Sequence, residues 1–174
     1  MSIKIRILLS ILTLSMSGLM TSCATSQNVT HSMPGTTTTI VLTRHGDRDN
    51  MATNLNEKGR ARAEALVEAL GDMKVTAIYC PDFERNIETA RPLAEKLGLE
   101  INVVPEVMVD VVTTMLTEHS GEVVVWVGNK PNLVKIYSVL GGVGDPPQSY
   151  GDLYIMKIKE TGDPEVIKKH YGPA

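Results

Sequence analysis

An arginine, a histidine and a glycine stand together at positions 44–46, directly after a run of β-branched residues. A neutral imidazole attacks phosphorus readily and leaves again from a phosphoramidate, so His45 is a candidate nucleophile. Arg44 can give a phosphate two parallel hydrogen bonds, and Gly46 lets the backbone approach an anion closely. Three residues alone are a weak signal, because an arginine beside a histidine is most often part of an ordinary surface or core.

A second arginine strengthens this signal. Arg85 lies in the segment 82–90 (DFERNIETA), where a helix over 84–97 is predicted to begin. A phosphate at that point would also meet unpaired backbone N–H groups and the positive end of the helix dipole. Arg48 offers a further cation that could select the substrate, or it is an ordinary solvated loop arginine.

The elements that must position these residues follow from the hydrophobic pattern. From residue 36 onward, β-branched runs alternate with helical periodicity, which predicts repeated βα units and a largely parallel sheet. Helices are predicted after the cap residue Asn56, over 84–97 up to Gly98, over 107–118, and around 133–140. Strands are predicted over 38–43, 75–79, 101–104 and 122–127, with alternating edge strands over 152–158 and 165–170.

Ligands of such sheets gather beyond the carboxyl ends of the strands. The loops there are residues 44–50, 80–85 and 128–132, and they carry Arg44, His45 and Arg85. Cys80, at the end of the second strand, is interpreted as a packed small residue rather than as a second nucleophile.

Several motifs, taken in order along the chain, resemble those of a known family. Residues 42–46 (LTRHG), 55–61 (LNEKGRA) and 85–90 (RNIETA) have the order and spacing of the histidine phosphatase superfamily, short phosphatase type. Residues 125–133 (VWVGNKPNL) occupy the place of that family's second-histidine segment. The resemblance covers roughly residues 38–160 and implies a phosphoglycerate-mutase-like fold, a three-layer α/β/α sandwich with a mostly parallel central sheet.

The resemblance also implies an activity. It makes His45 the phosphorylated nucleophile and Arg44 and Arg85 the phosphate clamp of a hydrolase that needs no cofactor. Gly46 and Arg48 are the expected additional phosphate or substrate contacts. A metal site is not expected, because the four histidines are scattered and no Cys-x-x-Cys pair occurs.

Asn129 departs from the family pattern, since a histidine would normally stand there. Asparagine can donate a hydrogen bond to a phosphoryl oxygen, but it cannot carry a charge or move a proton. The loss of one donor in an anion site costs about 10²–10³ in rate. Lys130 is adjacent and can restore charge, whereas His119 precedes the strand at 122 and is expected at the opposite edge of the sheet.

The proton donor for the leaving group is open. Glu106 and Asp110 lie where some family members place an acid, and either is equally well an ordinary solvated carboxylate. A leaving group of low pKa would need no such acid.

The first residues are typical of targeting. Lys4 and Arg6 precede an apolar run of 14 residues over 7–20, which is short for a membrane-spanning helix of about 20. Residues 19–23 (LMTSC) resemble the lipobox of bacterial lipoproteins, which implies a lipidated Cys23; an ordinary signal peptide is the alternative. We therefore expect a signal peptide over 1–22, a flexible tether over 23–35 and a phosphatase-like domain over 36–174.

These features leave two functions open. The first is a phosphatase that hydrolyses a phosphomonoester or phosphohistidine through phospho-His45, attenuated by Asn129. The second is a weakly active or inactive module of the cell envelope that binds phosphate. The expected partner is a phosphorylated small molecule or phosphoprotein, met from the periplasmic side of a lipid anchor. A net charge of −3 gives no reason to expect nucleic acid.

Overall fold

The computed structural model describes residues 30–105 and 109–174, without the side chains of residues 109 and 110. Ten elements follow one another along these residues. They are β1 (Thr37–Arg44), α1 (Glu57–Leu70), β2 (Val75–Pro81), α2 (Glu84–Leu97), β3 (Ile101–Val104), α3 (Val109–Glu118), β4 (Val123–Gly128), α4 (Lys130–Val139), β5 (Asp152–Lys159) and β6 (Glu165–His170).

The six strands form one sheet in the order β3-β2-β4-β1-β5-β6. The first four are parallel, and β5 and β6 are antiparallel to their neighbours. The predicted α/β class with a mostly parallel sheet is therefore confirmed. The prediction that 152–158 forms an edge strand is wrong, because β5 lies between β1 and β6, and its residues 153–156 are buried on both faces.

Two apolar cores lie on opposite faces of the sheet. Helices α1 and α2 cover one face, where Leu66 and Leu93 pack against Val41 and Val125. Helices α3 and α4 cover the other, where Met115 and Leu133 pack near Trp126. The layers are thus helix, sheet and helix, as expected. The central strand β4 is buried over 124–128, which explains its lack of alternation.

The first turn of α1 supports the loop after β1 directly. Asn56 caps the helix, accepting a hydrogen bond at its side-chain oxygen from the Gly59 backbone N–H (2.9 Å). A Cβ atom at Gly46 would lie 2.5 Å from the Gly59 carbonyl oxygen, and one at Gly59 would overlap the Asp47 backbone. Only glycine allows this approach, so the pair fixes the loop on the helix.

Residues 32–35, within the segment expected to be a tether, contact the domain. The Ser32 backbone N–H donates to the Lys159 carbonyl (3.0 Å), and its hydroxyl bonds to that of Thr38 (2.6 Å). The expected signal peptide and Cys23 lie outside the described residues. Within the two described ranges, no helix combines the length and apolarity needed to cross a membrane.

Candidate active site

His45 lies just beyond β1, and its ring has a defined orientation. The Nδ1 atom is 2.8 Å from the Gly46 carbonyl oxygen. Because a carbonyl can only accept, Nδ1 carries the hydrogen and Nε2 keeps its lone pair. Burial, together with the positive charges of Arg44 and Arg85, lowers the pKa of His45 to about 4. The ring is therefore a neutral potential nucleophile at pH 7.

One cavity of about 340 Å³ brings the predicted residues together. The three guanidinium groups of Arg44, Arg48 and Arg85 line it along with the imidazole of His45. The remaining lining residues are Phe83, Asn129, Lys130 and Pro131. The loops 44–50, 80–85 and 128–132 thus meet at the carboxyl ends of the parallel strands, as the sequence predicts.

Arg44 is held from two sides. Its Nη1 atom donates to the Gln148 carbonyl (3.0 Å), and its Cζ atom lies 3.8 Å from the ring centre of Tyr150. Its Nε atom is buried and has no hydrogen-bond partner among the residues that the structure describes. A buried donor of this kind is costly unless a ligand satisfies it, and a tetrahedral anion would do so.

Arg85 comes to the cavity from the first turn of α2. Its Cζ atom lies 4.5 Å from the ring centre of Phe83, the residue that precedes the helix. The cavity therefore meets the N-termini of two helices, α2 and α4, whose dipoles favour an anion between them.

Asn129 has a structural role that the sequence analysis does not predict. It is the N-cap of α4, and its side-chain oxygen accepts from the Asn132 N–H (3.4 Å), while the Asn132 side chain accepts from the Asn129 N–H (2.9 Å). This reciprocal cap occupies the oxygen, so the amide nitrogen is the part of Asn129 left to contact a ligand in the cavity. Asparagine followed three residues later by a hydrogen-bonding side chain was the signal for it.

Two further contacts with the site were not foreseen. The ring of Tyr150 packs edge-on against the ring of His45, with 5.7 Å between the centres. The hydroxyl of Thr89 accepts from the Gly46 N–H (2.8 Å) and donates to the Arg85 carbonyl (2.7 Å). Thr89 thus ties the histidine loop to the turn that carries Arg85. The hydrogen bond to Thr89 occupies the N–H of Gly46, and Gly46 does not line the cavity. The role of Gly46 in this structure is therefore close packing against α1.

The carboxylate nearest to His45 in sequence is engaged elsewhere. Asp47 accepts from Nε of the buried Arg62 (2.7 Å), and Arg62 also donates to the carbonyls of Tyr171 (2.6 Å) and Pro173 (2.7 Å). Among the described residues that line the cavity, none carries a carboxylate. The site as described is cationic.

Three predicted residues cannot be placed in the site. Glu106 and Cys23 lie outside the described residues, and Asp110 belongs to α3 but its side chain is not described. Cys80 is fully buried, as expected, and burial raises the pKa of its thiol to about 12. In the described parts of the chain, no group of three His, Cys, Asp or Glu residues is arranged to hold a metal ion.

Comparison with known proteins agrees with this geometry. The sequence profile of the histidine phosphatase superfamily (branch 1) matches residues 40–109, which include Arg44, His45 and Arg85. The 8-oxo-(d)GTP phosphatase of Mycolicibacterium smegmatis is 35% identical over 80 residues, or 41% of this chain. The matching part of the chain spans only 25% of that relative's length.

Solved structures show the same fold. The protein histidine phosphatase SixA, complexed with tungstate, matches 76% of this chain and 96% of its own, with a TM-score of 0.62 and 17% identity. For a mycobacterial glucosyl-3-phosphoglycerate phosphatase the shares are 79% and 100%, with a TM-score of 0.57 and 16% identity. Bacillus stearothermophilus YhfR matches 74% of this chain and 95% of its own, with a TM-score of 0.58 and 20% identity.

The fold is therefore the histidine phosphatase, phosphoglycerate-mutase-like fold. The superfamily profile matches less than half of the chain, and the solved structures show a shared fold over most of it.

Proposed function

We propose that this domain is a phosphatase that hydrolyses a phosphomonoester or phosphohistidine through a phosphorylated His45. One observation carries the proposal: His45 turns its protonated nitrogen to the Gly46 carbonyl (2.8 Å) and lies with three arginines around one cavity. A neutral, oriented imidazole beside an anion clamp is what phosphoryl transfer to nitrogen requires.

The reaction has two steps. In the first, Nε2 of His45 forms a bond to phosphorus while the bond from phosphorus to the leaving group breaks, and the leaving group takes a proton from solvent or an acid. In the second, water attacks phosphorus, the N–P bond breaks, and the water's proton goes to solvent. Arg44 and Arg85 hold the phosphoryl oxygens in both steps, and the Asn129 amide nitrogen donates a further hydrogen bond.

Asn129 favours a second candidate, a module that binds phosphate with little turnover. Its side-chain oxygen is fixed in the α4 cap, and an amide cannot exchange a proton with the leaving group. The clamp would then retain phosphate or a phosphorylated ligand without efficient release of product.

One experiment separates the two candidates. The purified domain is incubated with p-nitrophenyl phosphate, and acid-labile phosphate on His45 and free nitrophenol are measured. The enzyme predicts both signals in the native protein and neither in His45→Ala, with His31→Ala, an exposed histidine outside the site, unchanged. Phosphate binding without either signal would favour the binding module.

We also propose that Cys23 is lipidated and that the domain faces the periplasm of a bacterial cell envelope. The support is the residue pattern at 19–23 after the apolar run. Mass analysis of the mature N-terminus tests this, since an unmodified N-terminus at any other residue would contradict the anchor.

A further inference from the structure

Among the described residues, more cations line the cavity than are needed to hold one phosphoryl group. Four cations line it, namely Arg44, Arg48, Arg85 and Lys130, and the described lining residues include no carboxylate. Two arginines are enough to hold the oxygens of one phosphoryl group. The other two cations add repulsion that raises the free energy of the empty site.

The four cations fall into two sets. Arg44 and Arg85 lie with the buried His45 at the strand ends and account for the phosphoryl clamp. Arg48 and Lys130 come from two different loops, and Lys130 is exposed while Arg48 is half-buried. These two form the outer pair.

Within the described residues, neither Arg48 nor Lys130 forms an ion pair with a carboxylate. The Nη1 atom of Arg48 donates to the Ala52 carbonyl (2.7 Å), which orients the guanidinium without neutralising it. Lys130 begins α4, whose first turn holds no acidic residue. A cation at a helix N-terminus is electrostatically unfavourable unless an anion binds there.

Arg48 also lies within electrostatic range of the inner set. Burial is the main cause that lowers the pKa of Arg44, and the charge of Arg48 is among the further causes that lower it. An anion that bound the outer pair would relieve this repulsion in addition to making its own contacts.

We propose that Arg48 and Lys130 form an outer anion subsite, so that the preferred substrate is a phosphate ester bearing a second anionic group, a carboxylate or another phosphate. This assignment rests on the proposed function, which puts the phosphoryl group on the inner set. A cavity of about 340 Å³ is near the lower end of small-ligand sites, so it has room for a compact molecule of this class beside the phosphate.

The test uses binding of inert ligands, which does not require turnover. Benzylphosphonates with a 4-carboxylate or a 4-carboxamide are nearly equal in size and differ by one charge, and a third ligand carries a second phosphonate in place of the carboxylate. Calorimetry on the native domain gives the affinity ratios. We expect the charged ligands to bind about three- to tenfold more tightly than the carboxamide, and the ratio to fall as salt is raised.

Matched variants locate the effect. Arg48→Gln combined with Lys130→Gln should bring the ratios close to one while the carboxamide still binds. The controls Arg91→Gln on α2 and Lys135→Gln on α4 remove surface cations that do not line the cavity and should leave the ratios unchanged.

The outcomes keep this proposal apart from the proposed function. Equal affinities of all three ligands in the native domain, or charge preference that survives the double variant, would overturn the outer subsite even if p-nitrophenyl phosphate is hydrolysed. A charge preference lost in the double variant, without phosphorylation of His45, would support the subsite and sink the phosphatase. A larger gain for the bisphosphonate than for the carboxylate would assign the second group as phosphate.

Discussion

The two ends of the sheet each hold a histidine, and the two are bonded differently. At the carboxyl end of β1, His45 uses one ring nitrogen, which faces the Gly46 carbonyl. At the opposite end, His119 uses both: Nε2 lies 3.0 Å from the Tyr79 hydroxyl and Nδ1 lies 3.0 Å from the Glu122 carboxylate. The second histidine has no nitrogen left for chemistry.

The charges around the two histidines also differ. His45 is buried among cations that keep it neutral, whereas His119 is paired with the carboxylate of Glu122, which also accepts from Thr76 (2.8 Å). The two histidines therefore differ in whether the described residues leave a ring nitrogen unbonded and in the charge beside the ring, although their residue type is the same. His119 is instead a link between β2 and the turn before β4.

Replacing each of the two histidines by alanine is the strongest test of this difference. His45→Ala should lower turnover of an aryl phosphate by at least about 10³-fold, because it removes the proposed nucleophile. His119→Ala should change turnover less than about twofold but lower the free energy of unfolding by about 1–2 kcal/mol, because it breaks two hydrogen bonds. Steady-state rates and urea unfolding measure both effects, and a large loss of turnover in His119→Ala would contradict the comparison.

The buried neutral state of His45 predicts a specific pH dependence of stability. Its folded pKa, about 4, lies below the unfolded value of about 6.5, so between these values only the unfolded chain binds the proton. Stability is full above pH 6.5 and falls as pH decreases toward 4, by about 3 kcal/mol from this residue.

Urea unfolding of the native domain and of His45→Gln at pH 4.5 and 7 measures this contribution. The native domain should lose more stability than the variant between the two pH values, while His31→Ala should behave like the native domain. Equal pH dependence in native and His45→Gln domains would mean that the pKa of His45 is the same in the folded and the unfolded chain.

Asn129→His should raise turnover at pH 7 by about tenfold or more, because an imidazole can share phosphoryl charge where the amide only donates a hydrogen bond. The same change should lower the free energy of unfolding by about 1 kcal/mol, since the α4 cap is lost. Rate and stability are measured on one preparation. Reduced turnover with the expected loss of stability would show that the site is adapted to asparagine.

Substitution of Tyr150 should have the smallest effect on activity, and it tests how Arg44 is held in the cationic site. Tyr150→Ala removes the ring that packs on Arg44, a contact worth about 0.5–1 kcal/mol at a partly exposed site, so kcat/KM should fall about two- to fivefold. Tyr150→Phe keeps the ring and should retain native kcat/KM. Equal losses in the two variants would assign the effect to the hydroxyl instead of the ring.

Much of this architecture could be predicted from local pattern. The β-branched runs and helical periodicity placed most element bounds within one or two residues, since each element has one consistent repeat and a recognisable cap such as Asn56. The meeting of the loops that carry Arg44, Arg85 and Asn129 followed from the rule that parallel strands end at the same edge.

What could not be predicted depends on contacts between distant residues. The position of β5 inside the sheet is set by its pairing with β1, and no local pattern encodes that neighbour. Tyr150 lies in an irregular loop whose path over Arg44 is fixed only in three dimensions. The family pattern predicts only that Asn129 lacks the charge of a histidine. Its capping bond to Asn132 could not be predicted, because that requires knowing at which residue α4 begins.

Arg62 joins residues that lie far apart in the sequence. Its guanidinium donates to Asp47, two positions after His45, and to the carbonyl of Tyr171, which lies 109 residues beyond Arg62 in the sequence. Arg62 donates to the Pro173 carbonyl as well. The support that Arg62 gives to the loop carrying His45 is therefore complete only when the residues that follow β6 are in place.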